Sequence, residues 1–515
     1  INVIFGPKGT GKTKILEAIA KYYSNIQIEN LLPAGLLNRL EFFYPQYSSF
    51  LENRKFLFQG KDYYSGLSGF REVCYILSQN GIEIDRIEER ELFVEVYQFL
   101  AYSHSLNSIN WDNYETDSVF QLIFAEPAMI DTETTNDYIN ATDAKARTQI
   151  AVDYLERSNP HEGNQQLNKE WLESNEDEID FLHCCQHKNR QCQPVFETPT
   201  QYCSLSSTYC IGHAQVYGGE EMLTQKDIQQ THDHLRTHTE ITDLLIPEID
   251  GGYMPASRLH QFVMPLIEDP SLLHVKNILF ATSSLTFQPE KILLNEYEDR
   301  LDLFDLCRDN GIQLGWMAYF SSPRELLNPS TIAAIRRLQN HGVNIRSQSP
   351  IMHHISLFTD DKGEVDVQKS AQNWIDLAEI LGMLSVGFHS IYCTQPTGEY
   401  HFSKTPLAKT IEIFSLIYRS LSPINRSSRH ISMTISAGKL AVLGTSIING
   451  EKCFALKFTE ARNMEWVDRV FHAKYNETEN RIDFLTPFDT DKYFFEDELV
   501  NIETELAEAL QNKRK

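Results

Sequence analysis

The sequence predicts an α/β protein of two modules, a phosphate-binding-loop domain (P-loop NTPase-like) followed by parallel βα units around a barrel or open sheet. Two observations carry that expectation. A short apolar run, a glycine-rich loop and an amphipathic helix open the chain, and from about Asn189 strand-like apolar runs alternate with amphipathic helices. At 515 residues the chain exceeds one ordinary core. The expected divisions are 1–132 for the loop domain, 133–188 for a helical connecting segment, 189–490 for the barrel and 491–515 for a charged C-terminal helix.

The opening element is Ile1–Phe5, an apolar run suited to a buried strand. The stretch Gly6-Pro-Lys-Gly9-Thr-Gly11-Lys12-Thr13 follows, and then Ile15, Leu16, Ala18, Ile19 and Tyr22 recur at helical spacing. In this pattern the glycines turn backbone N–H groups toward phosphates at the positive end of a helix. Lys12 reaches the β- and γ-phosphates and Thr13 holds Mg²⁺. Gly6, Gly9, Gly11, Lys12 and Thr13 are therefore expected to bind ATP with Mg²⁺. Hydrolysis needs a second strand ending in an acidic residue. The candidate is Phe120–Asp131, with Glu126 as that residue and Ala125 where a Mg²⁺-orienting Asp would stand; an apolar stretch before a proline stop is the alternative. Between the two lies a mostly helical region. Residues 133–180 are polar, acidic and helix-forming, with no deep core expected.

Bulk composition narrows the class. With 42% hydrophobic and 23% charged residues, the chain reads as an ordinary globular protein. The net charge of −25 is dispersed, which argues against nucleic acid or an anionic membrane as the main partner. No run approaches the 18 apolar residues of a membrane span. Ile1 lies inside an expected strand with no initiator Met, so a portion of a longer chain is expected. Nine cysteines without secretory features suggest a reducing, cytoplasmic setting. Five of the nine fall between Cys184 and Cys210, beside His183, His187 and His213. That clustering leaves two readings open, metal or cluster chemistry and chance placement in a loop.

In the second half, "TDLLIPEI", "VKNILFATSS", "IQLGWMAYF" and "VNIRSQS" read as strands between helices such as "PSTIAAIRRLQNHG". Such parallel βα folds carry their sites at the C-terminal ends of strands, where "FATSS", "MAYFSSP" and "IRSQSP" fall.

Four landmarks in this half keep the order of a known family. They are "MAYFSSPREL", "NHGVNIRSQSPIMHHI" with Gln348 and Ser349, "IYCTQPTGEYHFSKT" with Cys393, Gly398, His401 and Phe402, and "TISAGKLAVLG" with Lys439. Over about Val195 to Phe488 the chain resembles the lysine 2,3-aminomutases of the radical S-adenosylmethionine superfamily. The resemblance implies a radical-SAM-type partial (β/α) barrel, a [4Fe–4S] cluster, S-adenosylmethionine, pyridoxal phosphate and 1,2-migration of an amino group. It makes Lys439 the pyridoxal phosphate lysine and catalytic residue, and it places Gln348, Ser349 and Asp250 among the cofactor-binding residues. The cofactors carry the difficult steps and the protein positions them.

Several departures fall on functional positions. The family's cluster motif is C-x₃-C-x₂-C; here Cys203 and Cys210 match its first two ligands across a longer gap, and His213 replaces the third. Imidazole ligates iron in some clusters, and structural zinc suits the same set. Glu248-Ile249 occupy positions where the family has glycines approaching the cofactor. The two aspartates that hold lysine's distal ammonium map onto Thr394 and Ser432. Two functions are consistent with this pattern. One is a nucleotide-controlled isomerase acting on an amino-acid-like substrate other than lysine. The other is a catalytically inactive barrel that senses a ligand or aids assembly for a P-loop switch of the stress or antiviral defence type. The expected partners are a nucleotide and a small amino-acid-like ligand, in a homo-oligomer.

Overall fold

The computed structural model describes residues 31–45, 54–158, 169–173, 179–186, 191–195, 207–208, 225–247, 255–395, 399–502 and 504. The Gly6–Thr13 motif, Cys203, Cys210, His213, Asp250, Glu248, Ile249 and Gly398 lie outside the described residues.

The N-terminal module is mainly helical. The first described helix, α1 (Ala34–Phe43), packs Leu36 and Leu40 into the core of the second half instead. The module's own elements are β1 (Tyr63–Ser65), α2 (Gly66–Gln79), α3 (Ile87–Tyr97), β2 (Leu100–Tyr102), α4 (Ser118–Ile123), α5 (Thr132–Asn140) and α6 (Ala144–Ser158). Aromatic residues build its core: Phe70, Phe99, Trp111, Phe120 and Phe124 cluster, with Phe120 and Phe124 stacked at 4.6 Å.

The apolar run Phe120–Phe124, expected as a strand, is helical up to Ile123. Asp117 decides this, because its carboxylate accepts the N–H groups of Val119 and Phe120 at 2.9 and 3.1 Å. An N-cap of that kind satisfies donors that a strand would pair elsewhere. The connecting segment also differs from expectation. Tyr138, Ala151 and Tyr154 of α5 and α6 are buried in a cluster with Leu92, Phe93, Val96 and Tyr97. Beyond α6, the residues expected to be helical form an antiparallel pair, β3 (Lys169–Glu173) with β4 (Ile179–Gln186).

The second half forms one ten-stranded sheet. Its parallel part comprises β5 (Cys192–Pro194), β6 (Asp243–Pro247), β7 (Asn277–Ala281), β8 (Gln313–Ala318), β9 (Asn344–Ile351), β10 (Gly387–Cys393) and β11 (Ile431–Ile435), in chain order across the sheet. The main crossover helices are α7 (Gln225–Thr237), α8 (Ala256–Glu268), α9 (Glu298–Asp309), α10 (Pro329–Asn340), α11 (Val367–Met383) and α12 (Leu407–Ser420). This is the parallel βα succession expected. The "IRSQSP" stretch lies inside β9 rather than after it.

Strictly sequential crossovers of one hand place their helices on one face. The core follows that rule. Leu244, Ile246, Ile278, Phe280, Leu314, Trp316, Ile345 and Ile351 pack with Leu259, Phe304, Leu338 and Trp374 of the helices. Strand side chains alternate between faces, and the other set, Leu245, Leu279, Gly315, Gln348 and Tyr392, is only half-buried. On this second, open face those residues are partly accessible, while Ser390 and Ser432 are buried.

After β11 the sheet continues as an antiparallel meander of β12 (Gly438–Ile448), β13 (Glu451–Ala461) and β14 (Val470–Lys474). It has its own core, in which Leu440, Val442, Phe454, Phe458 and Phe471 meet Tyr493 and Phe495. The segment expected as a charged C-terminal helix thus begins with two buried aromatic rings.

Candidate functional site

Strand register shows which chemistry-bearing residues share the open face. In the β9–β10 pair, Gln348 stands opposite Ser390 and Pro350 opposite Tyr392. Tyr392 pairs with Ser432 of β11, and Ser432 pairs with Ala441 of β12. One rung away, Thr434 pairs with Lys439. Directly paired residues project to the same side. Gln348, Ser390, Tyr392, Ser432, Thr434 and Lys439 therefore lie on one face of four adjacent strands. Gln348 and Lys439 are three strand spacings apart across the sheet and four residues apart along it, roughly 19 Å in all. The Ser390 hydroxyl donates to Gln348 Oε1 at 3.4 Å.

Ser349 is not part of this group. It pairs with Ile391, which belongs to the helix-packed core, and it is fully buried on that side. The alternation that brings Gln348 to the open face turns Ser349 away from it.

Lys439 occupies the start of β12. Its Nζ is 3.7 Å from Glu460 Oε1, and both side chains are about a quarter exposed, 24% and 28%. Glu460 is its register partner in β13. Gly438, just before it, has φ +148, and a Cβ there would collide with the Glu460 carbonyl, so glycine lets β12 and β13 approach at this point. Burial lowers the His430 pKa, and the cations of Lys439 and Lys457 add to that effect.

Thr394, just past the end of β10, and Ser432, near the start of β11, are both buried. The fully buried Arg481 joins the ends of β10 and β11. Its Nη1 donates to the Thr394 carbonyl at 3.1 Å, its Nη2 to the Thr434 carbonyl at 2.5 Å, and its Nε to Asp483 at 2.7 Å. No local pattern marks this clamp, because Arg481 acts 87 residues from Thr394.

Two further carboxylates were not anticipated. Glu325 is buried and accepts the Ser321 and Ser322 N–H groups, both at 2.8 Å, and the Thr286 hydroxyl at 2.9 Å. Burial pushes its pKa up to about 7 despite those donors. It closes a capping box with Ser322 on the short helix Pro323–Leu326. Glu399 follows β10 and accepts hydroxyls from Tyr97 at 2.6 Å and Tyr154 at 2.9 Å. Burial raises its pKa to about 7 as well. Its place beside Gly398, in a stretch already singled out, was the one available signal.

Glu126 stands before the turn Pro127–Met129, where it accepts from Gln121 Nε2 at 2.7 Å and lies 3.8 Å from Arg90 Nη2. It is not at the end of a strand, as the sequence reading had it. Thr208, within the cysteine loop, hydrogen-bonds the Gln121 and Leu122 carbonyls, and its hydroxyl is 3.0 Å from His354 Nε2. His354 is buried, which lowers its pKa to about 3. Among the described residues, no group of three His, Cys, Asp or Glu side chains is arranged to hold a metal ion. Among them, too, no helix is long and apolar enough to cross a membrane.

No protein-family model matches the chain. Two proteins of Aquifex aeolicus (strain VF5), each described as "Putative L-lysine 2,3-aminomutase", are similar to it. One is 23% identical over 272 residues, covering 53% of this chain and 67% of the relative. The other is 21% identical over 244 residues, covering 47% of this chain and 60% of the relative. A radical SAM methyltransferase from Sphaerobacter thermophilus aligns structurally with a TM-score of 0.31 and 13% identity, over 71% of this chain and 93% of that one. The chain is thus distantly similar to lysine 2,3-aminomutase-like enzymes.

Proposed function

We propose that residues 189–490 form a divergent aminomutase-like barrel that binds an amino-acid-like ligand on the open face of β9–β12. In this reading Lys439 is the amine that holds pyridoxal phosphate. The observation carrying it is the register that sets Lys439 beside Thr434, on the same face as Gln348 and Ser432. The residues fit that group. A partly buried primary amine stands next to hydroxyls, with a carboxylate near enough to keep it oriented. Bound there, pyridoxal phosphate would supply stabilisation of charge or of an unpaired electron at the substrate carbon next to nitrogen. The chain's own part is to orient and shield. Gln348 and Ser390 offer amide and hydroxyl contacts, and Arg481 fixes the strand ends carrying Thr394 and Thr434. In this reading S-adenosylmethionine and a [4Fe–4S] cluster belong to Cys203, Cys210 and His213, and Mg–ATP at Gly6–Thr13 regulates the barrel.

Borohydride reduction after incubation with pyridoxal phosphate tests the first part. A covalent adduct mapped to Lys439 supports it, and adducts spread over surface lysines without Lys439 would refute it. Lys12→Ala, which removes a charge-assisted phosphate contact, should weaken ATP binding about tenfold or more by calorimetry.

A second reading, a ligand-sensing barrel without radical chemistry, is favoured by the lengthened cysteine spacing and by Glu248-Ile249 in place of glycines. Anaerobic protein reconstituted with iron and sulfide, then given dithionite and S-adenosylmethionine, separates the two. Release of 5′-deoxyadenosine supports the radical enzyme, and its absence in cluster-loaded protein supports the sensor.

A further inference from the structure

The loop after β10 is held by the N-terminal module rather than by the barrel alone. Glu399 is buried, and its carboxylate takes hydroxyls from two helices of that module, Tyr97 on α3 and Tyr154 on α6. Immediately after it, the short helix Tyr400–Ser403 carries Phe402 against the buried cluster of Leu92, Tyr97, Ala125, Met129 and Tyr154. On its other flank Phe402 meets the rings of His353 and His354 at 5.6 and 5.5 Å, just beyond the end of β9. The His353 N–H also bonds the Ser403 carbonyl at 3.2 Å. One short segment thus touches the N-terminal core, the end of β9 and the end of β10.

We propose that Glu399 is a positioning residue through which the N-terminal helical module fixes the rim of the barrel's ligand site, the segment Glu399–Lys404 that follows β10. The word "site" here rests on the reading of the open face given above; the coupling itself rests on the contacts just described. A buried carboxylate with two hydroxyl donors is a specific anchor, because a group of that kind is costly to leave unpaired. The remaining charged groups around it are few. His401 Nδ1 is 3.7 Å away, and Asp131, itself paired with Arg157, adds to the negative field. With both tyrosines engaged, displacing α3 or α6 pulls on the segment joined to Thr394. Any ligand that reorders the N-terminal module would then reach the barrel rim by this contact.

Native-state hydrogen exchange on the full chain tests the proposal. The amides of Phe402, Ser403 and Lys404 bond carbonyls within the segment and report its opening. Glu399→Ala should speed their exchange about tenfold or more, with α11 unchanged. The Tyr97→Phe plus Tyr154→Phe variant should do the same, and Glu399→Gln, which keeps shape and acceptor, should stay within about twofold of the parent protein. Unchanged exchange in Glu399→Ala and in the tyrosine variant would overturn the proposal. An equal rise in α11 would also overturn it, because that pattern marks a general loss of stability. Borohydride capture at Lys439 is measured on the same samples. Failure of capture in the parent protein, with segment exchange as expected, would refute the ligand-site reading and leave the coupling standing.

Discussion

Lys439 and Glu460 are register partners on adjacent antiparallel strands, yet Nζ and Oε1 remain 3.7 Å apart. That separation marks an ion pair without a close hydrogen bond, at a position partly open to solvent. A pair of this kind adds little to folding. Removing its lysine therefore separates chemistry from stability.

Lys439→Met should change the free energy of unfolding by no more than about 1 kcal/mol, as urea titration would measure. The same variant should lose all borohydride-trapped pyridoxal phosphate at this position. A variant that unfolds more readily by several kcal/mol would show that Lys439 is chiefly structural.

Glu325 predicts a pH dependence. Its pKa rises from the ordinary 4.5 to about 7 in the folded chain because burial disfavours the charged form. Between those two values the native state holds the proton more tightly than the unfolded state. Its contribution to stability is therefore greatest below pH 4.5, declines as pH rises toward 7 and is level above that. The full swing corresponds to about 3 kcal/mol. Glu325→Gln keeps a carbonyl oxygen for the Ser321 and Ser322 N–H groups and should flatten that part of the pH profile. An unchanged slope in the variant would assign the pH dependence to other groups.

Arg481→Met tests the clamp on the strand ends. The change removes bonds to the Thr394 and Thr434 carbonyls and leaves Asp483 unpaired. A loss of about 3 kcal/mol of stability is expected, since bonds to a charged donor are among the stronger ones. If the loss is below about 1 kcal/mol by urea titration, water replaces the guanidinium there without penalty.

The parts legible in the sequence are those fixed by short-range pattern. β6 to β9 read as strand-like runs between helices of amphipathic spacing, and the parallel order follows from that alternation. Lys439 could be located by the landmark around it, "TISAGKLAVLG", in order with three others. Where two periods compete, pattern was not enough. Phe120–Phe124 is apolar but for Gln121, and the Asp117 cap makes it helical up to Ile123. Lys169–Glu173 carries helix-favouring residues, yet pairs with β4. Gln348 and Ser349 are adjacent in sequence, and only the register decides which one faces the open side. Glu399 lies in a stretch the sequence singles out, but its pairing with Tyr97 and Tyr154, 302 and 245 residues away, has no local signature.

L-Lysine should not be converted to β-lysine. Recognising its distal ammonium in a buried place requires carboxylates, and leaving that charge unpaired costs several kcal/mol. The two positions the family resemblance assigns to that task are Thr394 and Ser432, which offer only hydroxyls and are both buried. A charged side chain joined to this region is a cation, Arg481, bonded to the carbonyl of Thr394 itself. Of the carboxylates described above, Asp483 is engaged by Arg481 and Glu460 by Lys439. A neutral or shorter amino acid meets no such penalty. Reconstituted protein should be given dithionite, S-adenosylmethionine and pyridoxal phosphate, with L-lysine and then with neutral amino acids, and the β-amino products assayed. β-Lysine formation would overturn this assignment of Thr394 and Ser432. Introducing the missing charges by Thr394→Asp plus Ser432→Asp should raise the affinity for L-lysine about tenfold or more, read as displacement of a neutral amino acid. No gain in that variant would place the ligand's far end elsewhere on the open face, nearer Gln348 and Ser390.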